Sequence, residues 1–110
     1  MRRAPSTPDT SVKQHYLGHA WIEALYSRTQ RYRAVITRDA GPVYRVYSER
    51  WDDSDWADWG TAAWVPGEKS FTDTIDRARE IAKEFLAATP DGLAADERDV
   101  GDLLNDQDKT

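Results

Sequence analysis

His15, His19 and Glu23 recur at every fourth position, so a helix through them would align three metal-ligand types along one side. Gly18 interrupts any helix there, and no fourth ligand is indicated. On a strand the same even spacing simply places all three on one face, so no metal site is expected. Asp53, Asp55 and Asp58 precede Gly60 in a stretch that superficially suits calcium. The EF-hand pattern needs oxygen ligands at positions one, three and five, Gly at six and Glu at twelve. Counted from Asp53, the fifth position is Ala57, the sixth Asp58 and the twelfth Trp64, so the match fails and an exposed acidic loop is expected.

Covalent and acid–base chemistry find little support. The chain has no cysteine, which excludes disulfides, thiolate metal sites and cysteine nucleophiles. The hydroxyls have no convincing histidine partner, and the six glycines are scattered singly, with no phosphate-cradling loop. Carboxylates abound, but in polar stretches where nothing is expected to raise a pKa. The expectation is a non-enzymatic protein with no cofactor and no metal.

What remains is recognition. Arg33, Arg45 and Tyr47 alternate on two β-rich segments, with Trp21 on a third, and Trp51 and Trp56 stand on the acidic loop. Arginine interleaved with aromatics on a sheet can stack bases and hold phosphates. It equally suits a protein interface, where Trp, Tyr and Arg are enriched. The plain alternative is a set of cross-strand contacts, Arg33 on Tyr47 as a cation–π pair and Arg31 with Glu49 as an ion pair. Trp51, Trp56, Trp59 and Trp64 fall close together. Either Trp59 or Trp64 plugs the core against Phe85, or Trp51 and Trp56 form a docking lip.

These residues need a frame, and its anchor is SFTDTIDRAREIAKEFLAA, Ser70 to Ala88. Phe71, Ile75, Ala78, Ile81, Ala82, Phe85 and Leu86 recur at intervals of three and four, the period of one buried helical face. Ser70 is the expected N-cap, and Pro90 with Asp91-Gly92 ends the helix. Upstream, HAWIEALYS reads as helix or strand. Strand is favoured because a hairpin loop at Arg28-Thr29-Gln30 would match Tyr26 with Tyr32, Ala24 with Ala34 and Ile22 with Ile36. Asp39-Ala40-Gly41-Pro42 is a turn by composition, and VYRVYSER returns as a third strand. Trp59 to Val65 is a fourth, closed by a Pro66-Gly67 turn. The expected fold is α+β, a four-stranded antiparallel meander packed against one C-terminal amphipathic helix.

At 110 residues the chain holds one core. Residues 1–14, rich in Pro, Ser, Thr and Arg, read as a flexible arm, 15–90 as a single α+β domain, and 91–110 as an acidic tail, disordered or forming a short docked helix. Residues 1–50 carry nine Lys/Arg against four Asp/Glu, and residues 51–110 six against sixteen, for a net charge of −5. Such segregation suits two faces offered to different partners. No apolar run approaches the roughly 20 residues of a membrane span. The two arginines near the start are followed by no apolar stretch, so a cytoplasmic location is expected.

In rhythm, TIDRAREIAKEFL after a meander resembles the helix of HicB-type antitoxins, although the acidic loop departs from that pattern. A helix–three-strand–helix order would be similar to double-stranded-RNA-binding domains, whose final helix opens with lysines where this one holds Asp73 and Asp76. Neither family is assigned. The expectation is a binding module for another protein, through Trp21, Arg33, Arg45, Tyr47, Trp51 and Trp56. Nucleic-acid binding by the same face, with the acidic tail autoinhibitory, is the alternative. No membrane partner is expected, and a homodimer through a strand edge is compatible with the pattern.

Overall fold

A computed structural model of the chain describes residues 4–92. It shows an α+β fold: β1 (His15–Tyr16), β2 (His19–Tyr26), β3 (Tyr32–Arg38), β4 (Tyr44–Asp52), α1 (Trp56–Trp59), β5 (Ala63–Thr72) and α2 (Ile75–Ala87). The strands form one antiparallel sheet in the order β1-β2-β3-β4-β5, the expected meander with a short strand added at its start. The expectations for 1–3 and for the tail over 93–110 lie outside the described residues.

The added strand comes from a turn the composition does not advertise. Leu17 at φ 53° and Gly18 at φ 83° make a two-residue hairpin loop, both in the left-handed region. Such loops match the right-handed twist of the strands, and Asn or Gly usually fills them.

The β2–β3 register differs from the expected one by a single residue. Ser27 N–H donates to the Tyr32 carbonyl at 2.8 Å and Gln30, at φ 64°, donates to Ser27 at 2.9 Å, so the loop holds four residues, not three. Tyr26 therefore stands opposite Arg33, and Leu25 opposite Ala34. A one-residue slip exchanges the faces of a strand. Leu25 and Glu23 turn toward the helix, Ala24 and Tyr26 away from it, and a bulge at Ile22 brings Trp21 opposite Thr37.

Between β3 and β4 the shift is two residues. Asp39 N–H donates to the Val43 carbonyl at 3.1 Å, while the Asp39 carboxylate accepts from Gly41 N–H at 2.9 Å. This turn pairs Arg33 with Glu49, Val35 with Tyr47 and Thr37 with Arg45, instead of Arg33–Tyr47, Arg31–Glu49 and Val35–Arg45. An even shift keeps every side chain on its expected face.

Pro66-Gly67 is not a turn. β5 is an edge strand and runs through both residues at a bulge opposite Tyr47–Glu49. An edge tolerates the missing proline N–H. Ser48 Oγ accepts from Glu68 N–H at 2.7 Å, and a Cβ on Gly67 would stand 2.9 Å from that Oγ, so a side chain at this position would push the hydroxyl off its bond. Because β5 extends to Thr72, the helix starts later than expected. Thr74 is its N-cap, its Oγ1 accepting from Arg77 N–H at 3.2 Å. Ser70 and Phe71 remain in β5, where Phe71 is exposed.

Ala78, Ile81, Ala82 and Leu86 of α2 pack on Ala34, Ile36 and Val46, with Leu25, Tyr32, Tyr44, Ile75 and Phe85 around them. Burying side chains the size of Ile36 and Leu86 contributes about 1.5–3 kcal/mol each. Arg79 Nε bonds Glu23 Oε1 at 2.6 Å, linking α2 to β2. Beyond the helix, Asp91 accepts from Ser27 Oγ at 2.7 Å, Thr29 N–H at 3.0 Å and Thr29 Oγ1, and so clasps the β2–β3 loop.

Candidate functional site

The face of the sheet opposite α2 carries Arg33, Val35 and Thr37 of β3 beside Glu49, Tyr47 and Arg45 of β4. Trp51 and Trp64 stand opposite each other on β4 and β5, their rings 5.2 Å apart. Three strand spacings separate β2 from β5, about 14 Å in a flat sheet. Yet Tyr26 of β2 lies 6.2 Å from the Trp64 ring, and Tyr16 of β1 lies 5.2 Å from Tyr47 and 6.0 Å from Trp21. These contacts require the sheet to curl around this face. The result is a concave aromatic layer, a second packed surface independent of the helix.

At its centre Arg33 Nε meets Glu49 Oε1 at 2.6 Å, with the two side chains 5% and 3% exposed. The Arg33 guanidinium carbon lies 4.2 Å from the Trp64 ring centre and 5.5 Å from that of Trp21, so the cation is held between aromatic faces. The Tyr16 hydroxyl donates to Glu49 Oε2. Burial pushes the Glu49 carboxyl up to about 7, against its two donors, which favour the charged form, and the same burial lowers Arg33 from its ordinary value. This raised carboxyl is contrary to the expectation that none would be perturbed. A raised pKa suits a general acid or base. Here both oxygens are occupied and the side chain is enclosed, so this pair organises the face.

The stretch expected to be a flexible arm lies against this layer. Trp56 Nε1–H donates to the Ala4 carbonyl, Trp51 Nε1–H to Ser6 Oγ at 3.1 Å, and Trp64 Nε1–H to the Asp9 carbonyl at 2.8 Å. Ser6, 8% exposed, donates in turn to Asp53 Oδ2 at 2.6 Å, and Arg31 pairs with the same oxygen. These contacts lower the Asp53 pKa, Ser6 first and Arg31 second, against a desolvation penalty. Further along, Ser11 donors hold Asp9 down at about 2, and the Gln14 carbonyl accepts from Trp21 N–H at 2.9 Å.

Trp21, Arg33, Tyr47 and Trp51 are thus brought into one layer, with Trp56 on α1 at its rim. Arg45 stands apart, its Nη1 bonded to Asp39 at 2.9 Å and its guanidinium over the exposed Phe71. Arg33 and Tyr47, expected on an open surface, are buried. Tyr16, Glu49, Ser6 and Trp64 belong to the layer as well, beyond the residues expected from sequence. Trp64 faces this layer, not Phe85 and the helix, while Trp59 is 76% exposed and plugs nothing. The signal for Trp64 lay in strand parity, once β5 is read through Pro66. Its indole then stands across from Trp51.

His15 and His19 belong to neighbouring strands, and among the described residues no group of three or more His, Asp or Glu could hold a metal ion. A cleft of about 300 Å³ lies between the end of α2 and the β4–β5 bulge, with Val65, Pro66, Phe85 and Leu86 in its wall beside Arg33 and Glu49. Among the described residues no helix is long and apolar enough to cross a membrane.

Comparison of the chain with protein-family models, with curated proteins and with solved structures found no match.

Proposed function

We propose that this chain is a non-enzymatic module that binds another protein through its tryptophan face. One observation carries the reading: three indole N–H groups, from Trp51, Trp56 and Trp64, all point to acceptors on one stretch of irregular chain. Indole offers a large apolar surface and one directional donor, the combination enriched where proteins meet. Nucleic acid is the weaker reading. Arg31, Arg33 and Arg45 each already hold a carboxylate, so phosphates would have to displace Asp53, Glu49 and Asp39. The cysteine-free sequence is consistent with a cytoplasmic setting.

The test is affinity capture with the full chain and nuclease-treated lysate, repeated with Trp51→Phe/Trp56→Phe and with Trp59→Phe. The reading expects a defined protein that is lost with the double variant and kept with the exposed-site control. Retention by all three chains, or binding abolished by nuclease, overturns it. Tyr47→Ala is unsuited to this purpose, because Tyr47 is only 8% exposed and packs against Tyr16.

A further inference from the structure

The stretch that occupies the tryptophan face is itself informative about what that face reads. It runs Ala4-Pro5-Ser6-Thr7-Pro8-Asp9, with prolines three apart. Proline fixes φ near −65° and removes a donor, so such a segment favours the extended polyproline II form, with three residues per turn and no internal hydrogen bonds. Among the described residues, 4–13 are neither helix nor strand and make no backbone-to-backbone hydrogen bond. The contacts they do make run the other way. Their carbonyls at Ala4 and Asp9 and the Ser6 hydroxyl accept from tryptophans of the sheet and α1. Donor-bearing aromatics facing the carbonyls of a proline-rich segment are one of the recurring ways proteins recognise peptides.

Resting on the protein-binding reading above, we propose that the tryptophan face is a groove for extended Pro-Ser-x-Pro segments, and that the chain's own residues 4–9 occupy it as a resident competitor. The partner is a protein carrying such a segment. Three features set the selectivity. The Ala4 carbonyl, which precedes Pro5, is the acceptor for Trp56. The hydroxyl at the second position is read twice, donating to Asp53 and accepting from Trp51, inside a site where Ser6 is 8% exposed. An apolar residue there leaves the Trp51 indole N–H without its acceptor and Asp53 with Arg31 alone, and a bulkier one does not fit. At the Ala4 end lies Trp56, flanked in sequence by Asp55 and Asp58, so a segment with basic residues before its first proline is favoured.

The resident segment is tethered to its groove, and a short tether gives an effective concentration of about millimolar. A free partner therefore meets a groove already engaged. Its apparent affinity is reduced by the fraction occupied and rises when the resident segment is weakened.

The experiment uses the full-length chain, labelled at tryptophan indole nitrogens, titrated with the synthetic peptide RRAPSTPDTS. It is repeated on the full-length Pro5→Gly/Ser6→Ala/Pro8→Gly chain. The proposal expects the Trp51, Trp56 and Trp64 indole signals to move with peptide while that of Trp59 stays. Half-saturation should fall by about tenfold or more in the arm variant. A peptide with both prolines as Gly and the serine as Ala should bind at least about tenfold more weakly. Equal response to the two peptides overturns the proposal, as does no movement at several millimolar in either chain. Should the variant not fold, the wild-type titration alone decides between these outcomes. If the peptide never binds while a captured protein still depends on Trp51 and Trp56, the groove specificity fails and the protein-binding reading stands. If neither is seen, both fail.

Discussion

Replacing Glu49 by Leu should nearly unfold the protein, and replacing Arg33 by Met at the same time should restore most of the loss. The two side chains are 5% and 3% exposed and bonded at 2.6 Å. Removing one partner of such a pair leaves a buried charge without compensation, at a cost of about 3–5 kcal/mol. Glu49→Leu also strips the Tyr16 hydroxyl of its acceptor, roughly another 1 kcal/mol. Domains are stable by about 5–15 kcal/mol, so either single variant sits near the edge. In the double variant an unbranched Met lies between the Trp21 and Trp64 rings in place of the guanidinium. Swapping a buried pair for apolar residues of similar volume is often neutral. Urea unfolding of the four proteins checks this. With a slope of about 2 kcal/mol per molar, each single variant should lose roughly 1.5–3 M in midpoint. The coupling energy should reach about 2 kcal/mol or more. Single effects that add to within about 0.5 kcal/mol would refute the buried pair as the organiser of this face.

Other expectations follow from local contacts. Asp91→Ala removes the acceptor for Ser27 and Thr29 and should cost about 1–2 kcal/mol, seen as a lower urea midpoint with an unchanged slope; no change would mean the clasp contributes nothing. Leu17→Asn should stabilise by about 1 kcal/mol and raise the thermal midpoint by several degrees, since Leu17 is 65% exposed yet held at φ 53°; a fall would show that its packing outweighs the strain. Below about pH 5, where the raised Glu49 carboxyl is already protonated, acid should destabilise the fold. Asp9, Asp39, Asp53 and Asp91 have folded pKa values below the ordinary 3.8, about 2 for Asp9, so the unfolded chain binds protons first. Their contribution is whole above pH 3.8 and is lost as pH falls through the folded values. A denaturant midpoint that held constant from pH 5 to pH 2 would contradict those contacts.

Much of the frame was legible in the residues. The alternation of Ala34 and Ile36 against Arg33 and Val35 placed β3 with its faces correctly assigned, and the Ile75–Leu86 stripe placed the helix. What escaped was decided by single backbone conformations. Gln30 in the left-handed region lengthens one loop and turns β2 over, and Leu17 in the same region creates β1, although neither residue type signals a turn. Pro66-Gly67 was read as a stop because that pair usually is one; at an edge bulge beside Ser48 it is a passage. The site inherited these errors. With β3 and β4 paired two residues off, Arg33 faced Tyr47 on an open surface, whereas it pairs with Glu49 in a closed one. The arm looked free because its composition has little to bury. Ser6, the one buried hydroxyl among its described residues, sits between Trp51 and Asp53, a contact across more than forty residues that no local pattern announces.

The central claim is that the indoles of Trp51, Trp56 and Trp64 hold the chain's own proline segment. It is tested most directly by solvent exchange of the five indole N–H groups in the intact protein. The account predicts slow exchange at Trp51, Trp56 and Trp64, fast exchange at Trp59, which is 76% exposed, and faster exchange at Trp51 and Trp56 in Ser6→Ala/Pro5→Gly. Exchange at those three sites as fast as at Trp59, and indifferent to the substitutions, would contradict it.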